Sequence, residues 1–236
     1  MDKPLSKEAA AGGPALPVRF ADGVTLIGGG PVRVEDLDEA RRLAPRLIAA
    51  DRGADTALSL GARPDLVVGD MDSISDPTAW RRTGTPFVHL PEQETTDFEK
   101  CLYATEAPFY VAVGVSGRRI DHLLAVFHAL LRRPEKTAVL LAETEAIALL
   151  PAGRVLRLGL AEGARVSLFP LRPVRGLRSQ GLAWPIEGLE LAPGEQIGTS
   201  NRASAPEVAV GVEGAGCLLM LERPHAAALL GAIRPQ

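Results

Sequence analysis

The stretch Asp65–Ser75, "DLVVGDMDSIS", sets a short apolar run and a glycine directly before two aspartates, Asp70 and Asp72, one residue apart. An apolar run of this length, bounded by turn residues, reads as a buried strand, so the two acids fall where the strand emerges from the core. Outward from this point the same pattern repeats. "VTLIGG" precedes "EDLDEARRLA", "RLIAAD" precedes "DTALSLG", "LVVGD" precedes "DPTAWRRTG", "FVHLP" precedes "TTDFEKCLYATEA", and "FYVAVGV" precedes "RRIDHLLAVFHALLRR". Strand alternating with amphipathic helix predicts an α/β fold with a doubly wound, mostly parallel, Rossmann-like sheet in the N-terminal part.

After Arg133 the rhythm changes to short apolar runs separated by Gly, Pro and Asn, with no convincing helix between them. This half reads as an antiparallel β-sandwich. Residues 1–20 are rich in Ala, Gly, Pro and Lys without periodicity and read as a flexible leader. The division expected is therefore a leader over 1–20, an α/β domain over 21–143 and a sandwich domain over 144–236, with a soft boundary between Thr137 and Gly153.

Composition narrows the functions available. With 236 residues, 46% hydrophobic and 23% charged, the chain is an ordinary globular one with enough apolar surface for one or two cores. A formal net charge of -3 provides no basic field for a polyphosphate backbone, which argues against nucleic acid as a partner. The longest apolar runs, such as Leu123–Leu131, fall far short of the ~20 residues that a membrane helix needs, and no basic-then-apolar signal opens the sequence. A cytoplasmic protein without membrane attachment is expected. Cys101 and Cys217 stand far apart without CxxC or His-rich spacing, as reduced apolar filler does.

The acids fall at successive strand-to-helix junctions: Asp51 after "RLIAA", Asp70 and Asp72 after "LVVG", Asp97 at the helix after "FVHLP", and Asp121 after "FYVAVGVSGRRI". In a doubly wound sheet those junctions share one edge, at the carboxyl ends of the strands, where ligands bind. Converging carboxylates repel one another unless a cation neutralises them, and Mg²⁺ is commonly held by one or two carboxylates together with substrate phosphates. Plainer readings compete at each position. Asp70 and Asp72 also suit a turn and a helix cap, and Thr96 with Glu99 has capping-box spacing. Asp97 and Lys100, three apart on one helical face, exceed what a cap needs. His122 more often completes a hydrogen bond than performs catalysis, and "IGGGP" at Ile27–Pro31 matches neither a Walker A loop nor a dinucleotide fingerprint.

Taken in order, "ADRGADTALSLGARPDLVVGDMDS", "ETTDFEKCL", "GVSGRRIDHLLA", "GLAWPI" and "GTSN" resemble the successive signatures of the thiamine pyrophosphokinase family, over most of Leu26 to Glu222. The resemblance implies an α/β catalytic domain followed by a sandwich domain, a homodimer with composite active sites, and Mg²⁺-dependent transfer of the diphosphoryl group of ATP to the hydroxyl of thiamine. Carried over residue by residue, Asp70, Asp72 and Asp97 would organise Mg²⁺. Gly28, Gly29, Asp51, Thr96, Lys100, Arg118, Arg119, Asp121 and His122 would line the ATP phosphates, and Trp184, Ser200 and Asn201 would hold thiamine. Asp72, Asp97 and Lys100 would carry the catalysis, with Asp72 and Asp97 both candidates for accepting the hydroxyl proton.

The family's paired glycines appear here as Arg52-Gly53 and its Gly-Gly-Arg as Ser116-Gly117-Arg118-Arg119, which leaves open the choice of arginine. Rival functions are a metal-dependent phosphohydrolase or other nucleotide-using transferase, and a non-catalytic thiamine or nucleotide sensor.

Overall fold

The computed structural model describes residues 14–76, 80, 82–117 and 119–234. Arg118 and most of the expected leader lie outside the described residues. The chain forms two compact units, Met1–His122 and Leu123–Gln236. Its fold is mixed α/β, with parallel and antiparallel strands.

In the first unit, strands β1 (Val18–Arg19), β2 (Val24–Ile27), β3 (Arg46–Ala50), β4 (Leu66–Gly69), β5 (Phe87–His89), β6 (Thr105–Glu106) and β7 (Tyr110–Val113) are interleaved with helices. Those helices are α1 (Val34–Leu43), α2 (Gly53–Ser59), α3 (Asp97–Ala104) and the start of α4 (Ile120–Arg132). The main strands lie side by side in the order β7-β2-β3-β4-β5, with each described pairing parallel. Strands β2, β4 and β7 are buried along their whole length, as continuous Val/Leu/Ile/Ala runs require of a sheet covered on both faces. The short pair β1-β6 stands apart.

Successive strands from β2 to β5 step outward on one side, and β7 returns to the opposite side of β2. The order therefore reverses between β2 and β7, the point where an open parallel sheet leaves a crevice beyond its carboxyl ends. Glycines occupy that point because there is no room for side chains. A Cβ on Gly28 would lie 2.6 Å from the carbonyl oxygen of Gly114, and Gly114 itself has a φ of +66°.

The second unit contains β8 (Ala138–Leu141), β9 (Glu145–Leu149), β10 (Leu156–Gly159), β11 (Arg165–Pro170), β12 (Val174–Gln180), β13 (Glu190–Leu191), β14 (Gly198–Arg202), β15 (Glu207–Val212) and β16 (Cys217–Glu222). One run is ordered β14-β11-β16-β9-β8 and another β10-β15-β12-β13, with antiparallel pairing throughout. Strand β10 alternates buried and exposed residues, as a strand with one wet face must.

The unit closes with helix α5 (Ala226–Ile233), where the sequence reading found only strands. Ala226, Leu229, Leu230 and Ile233 are its buried residues, at the spacing of one helical face, and a proline stands in the short 3₁₀ turn Arg223–His225 that leads into it. Among the described residues no helix is long and apolar enough to cross a membrane.

Two glycine substitutions should move stability in opposite directions. Gly28→Ala drives a methyl into backbone and should cost about 1–3 kcal/mol. Gly231→Ala, where an added Cβ meets nothing within 4 Å, should gain about 0.5–1 kcal/mol through helix propensity. Urea midpoints measure both, and a neutral Gly28→Ala would contradict the tight approach at the reversal point.

Candidate active site

Asp51 follows the last residue of β3, and Asp70 follows the last residue of β4. One carboxylate oxygen from each of Asp51, Asp70 and Asp72 lies within 4.8 Å of the others. Their settings differ: Asp51 is buried, Asp70 half-buried and Asp72 exposed. The backbone is bent to bring them together. Asp51 has a φ of 43° and Met71 of 66°, and with Ser200 they are the non-glycine residues of positive φ among the described residues. Such conformations persist only where surrounding contacts hold them, and they gather at functional sites. Gly69 makes space for the first acid, since a Cβ there would stand 2.8 Å from the Cβ of Asp51.

The counter-charge is Lys100, from α3. Its side chain is only 2% exposed, and Nζ lies 3.2 Å from Asp97 Oδ1 and 3.5 Å from Asp70 Oδ2. Three-residue spacing on one helix puts Lys100 beside Asp97, and α3 packs against β4 and β3, which brings both to the other acids. Thr96 caps the helix by accepting a hydrogen bond from the Glu99 N–H.

Burial opposes the charge of Lys100, but Asp97, Asp70 and Glu92 outweigh it and hold the ammonium above its ordinary pKa. Asp97 is raised, chiefly by desolvation, which Lys100 only partly offsets. Asp51 is raised by burial and then by the charge of Asp97. Asp70 is lowered: burial works against its ionisation, yet hydrogen bonds from Gln93 and the Asp72 N–H, with the charge of Lys100, prevail.

Asp51 Oδ1 is buried and has no hydrogen-bond partner among the described residues. An unpaired buried carboxylate oxygen is costly, and here it sits against two further carboxylates. That donor set of hard oxygens fits a divalent cation such as Mg²⁺. The set formed by proximity is Asp51, Asp70 and Asp72, whereas Asp97 is the partner of Lys100.

Two more polar residues support the cluster that the sequence reading passed over. Gln93 Nε2 donates to Asp70 Oδ2 at 2.6 Å. Glu92 accepts from Tyr103 Oη at 2.8 Å, from Thr95 Oγ1 and from the backbone N–H groups of Glu94 and Thr95, which pins the loop before α3. The signal available was only that "PEQETT" is a polar loop directly before the helix.

The other candidate residues fall as follows. Gly28 and Gly29 follow β2, and the Gly28 N–H donates to the carbonyl of Val113. Arg119 and Asp121 are exposed and bind each other, with Arg119 Nε 3.2 Å from Asp121 Oδ1, and this hydrogen bond holds Asp121 below the ordinary carboxylate range. His122, in the first turn of α4, is exposed.

In the second unit Trp184 is 56% exposed, and the Arg202 guanidinium lies 5.1 Å from its ring centroid. Asn201 is buried; its Oδ1 accepts from the N–H groups of Trp184 and Arg202, and its Nδ2 donates to the Trp184 carbonyl. Asn201 therefore orients the tryptophan segment. The Ser200 N–H donates to Ser167 Oγ, which leaves Ser200 in its left-handed conformation.

Acids and a buried lysine gathered at the carboxyl ends of parallel strands define a charged site where open α/β sheets bind ligands. Comparison narrows the reading. A family model of the thiamin pyrophosphokinase catalytic domain matches residues 38–141, and one of the thiamin pyrophosphokinase vitamin B1 binding domain matches 144–214. The chain belongs to the thiamin pyrophosphokinase family.

Thiamine pyrophosphokinase 1 of Arabidopsis thaliana is 29% identical over 164 residues, a stretch covering 63% of this chain and 61% of the plant protein. The chain thus spans about three fifths of the length of that curated relative. Among solved structures, thiamin pyrophosphokinase from Candida albicans aligns with a TM-score of 0.72 at 17% identity, covering 89% of this chain and 94% of that one. The Geobacillus thermodenitrificans enzyme gives 0.68 at 20% identity, covering 85% and 96%.

Replacing Lys100 by Met tests the charge balance. A carboxyl whose folded pKa stands above its unfolded value of 3.8 destabilises the fold while ionised, and ceases to do so as the pH falls through the folded value. Without Lys100 both Asp97 and Asp70 should shift upward. The variant should lose about 2 kcal/mol at pH 7, less than a fully buried pair because Asp97 is part-exposed, and the loss should shrink towards pH 4 as the acids take up protons. Urea melts at the two pH values decide it, and a loss independent of pH would mean that Lys100 acts by packing alone.

Proposed function

We propose that this chain transfers the diphosphoryl group of ATP to the hydroxyl of thiamine, yielding thiamine diphosphate and AMP. The observation that carries the reading is the acid cluster of Asp51, Asp70 and Asp72 beside a buried Lys100 paired with Asp97, set within the catalytic-domain match. Phosphoryl-type transfer needs alignment and charge neutralisation more than covalent work, so no serine or cysteine nucleophile is required.

Asp51, Asp70 and Asp72 would hold Mg²⁺, and Asp97 stays paired with Lys100. When bound, the ion offsets the negative charge that grows on the phosphate oxygens during transfer. Gln93 and Lys100 fix the orientation of Asp70. Asp97 accepts the proton of the thiamine hydroxyl, since its partial burial raises its basicity above that of an exposed carboxylate. Asp72, the exposed member of the three, would complete the set that holds the ion. Gly28 and Gly29, at the reversal of strand order, let phosphates approach the backbone, and Arg119, released from Asp121, meets a phosphate oxygen.

Thiamine carries a permanently cationic thiazolium ring. The exposed face of Trp184, which already receives one cation in Arg202, suits it, with Ser200 offering a hydroxyl to the ligand and Asn201 holding the tryptophan in place. We further assign a doubly wound catalytic domain over 21–143 and a sandwich domain over 144–236 that binds thiamine and pairs with a second copy. The assembly is a homodimer with composite active sites, working in the cytoplasm.

Purified protein given ATP, Mg²⁺ and thiamine should form AMP and thiamine diphosphate in equal amounts. ADP with thiamine monophosphate would overturn the diphosphoryl assignment, and ATP consumption independent of thiamine would point to a hydrolase.

A further inference from the structure

Asp55 lies in the first turn of α2 and belongs to none of the groups described above. Its two carboxylate oxygens are both used: Oδ2 accepts from the Ser75 N–H at 2.7 Å, and Oδ1 accepts from the Trp80 indole at 3.0 Å. Both donors lie on the far side of the segment that carries Asp70 and Asp72.

That segment has little regular structure of its own and contains Met71 in the left-handed region. Within it Ser73 Oγ donates to Asp72 Oδ1 at 2.8 Å, the Asp72 N–H reaches Asp70 Oδ1 at 3.4 Å, and Ile74 is buried. Asp55 therefore grips the loop one residue beyond its apolar anchor. Trp80, only 2% exposed, supplies a second, buried point.

The same first turn of α2 is also tied to Asp51. The Ala54 N–H donates to the Asp51 carbonyl at 2.9 Å, and the Asp55 N–H donates to the Arg52 carbonyl at 3.1 Å. One helical turn thus connects the strained backbone of Asp51 to the strained loop of Asp72. Both sites need such a hold, because a left-handed non-glycine residue relaxes when its surroundings no longer fix it.

We propose that Asp55 is a positioning residue of the metal-holding cluster, fixing the separation of Asp72 from Asp51 by clamping the loop through Ser75 and Trp80. The inference rests on the reading of Asp51, Asp70 and Asp72 as holders of a divalent cation. Residues that orient ligands without touching the ion commonly alter metal affinity by tenfold or more, and Asp55 acts one contact further out.

The test uses Mn²⁺ as the probe, counted as free ion by electron paramagnetic resonance during titration of the full chain. Wild type, Asp55→Asn and Trp80→Phe are compared, with Asp65→Asn as control. Asp65 makes a similar bond, accepting from the Leu47 N–H at 2.8 Å, but at the entrance to β4. Asp55→Asn places an amide donor against one of two donors, and Trp80→Phe removes one donor only. Asp55→Asn should weaken Mn²⁺ binding by about fivefold or more, Trp80→Phe should weaken it in the same direction, and Asp65→Asn should leave it unchanged.

The Mg²⁺ concentration for half-maximal rate should rise in parallel, while kcat at saturating Mg²⁺ and the KM for thiamine stay within about twofold of wild type. Unchanged Mn²⁺ affinity in folded variants would overturn the positioning role. Wild type that fails to bind Mn²⁺ would instead overturn the cation reading beneath it. Should Asp55→Asn fail to fold, Trp80→Phe decides the question by the same measurement.

Discussion

A buried ammonium between two carboxylates organises the carboxyl edge of the first unit. Lys100 has almost no contact with water and would be expensive to ionise there alone. Asp97 and Asp70 reverse that preference and hold it charged. At about 4 Å and an effective dielectric near 20, each such attraction is worth about 4 kcal/mol before desolvation, which consumes much of it. One lysine nevertheless faces more acids than it can neutralise. Asp51 and Asp72 add charge that no described cation balances, and the free oxygen of Asp51 shows where the deficit is concentrated.

Backbone strain follows the same map. Asp51 and Met71 take up left-handed conformations at the two places where the chain must turn its acids towards one another, and Gly69 is small so that Asp51 can lie close. A sheet built only for stability would have no use for these turns. Ser200 repeats the pattern in the second unit, beside the asparagine that orients an exposed tryptophan. Charge and strain thus coincide at the carboxyl edge of the first unit, strain and exposed aromatic surface coincide in the second, and the apolar strands beneath supply the rigidity that sustains them.

Much of this was legible in the sequence because hydrophobic periodicity reports strands and helices directly. The runs ending at Asp51 and Asp70 marked β3 and β4, and spacing alone set Asp97 and Lys100 on one face. Contacts between distant segments were not legible. Nothing in "GADTALS" showed that Asp55 would reach Ser75 and Trp80, and nothing in "GTSN" separated a ligand-facing asparagine from one that turns inward to hold Trp184. Asp51 gave no sign that it would be the most buried of the three clustered aspartates, since burial depends on the packing of Gly69 beside it. The helix Ala226–Ile233 was missed for a different reason: its apolar residues are nearly continuous, so its period is faint beside that of the strands before it.

The central claim is that the cluster around Asp51 is held in a state of excess negative charge that a divalent cation relieves. Calorimetric melting of wild type and Asp51→Asn, each in EDTA and in millimolar Mg²⁺, tests it most directly. Wild type should melt several degrees higher with Mg²⁺, whereas Asp51→Asn should already melt higher than wild type in EDTA and gain little from the ion. Wild type indifferent to Mg²⁺, or Asp51→Asn less stable in EDTA yet fully responsive to Mg²⁺, would contradict the account.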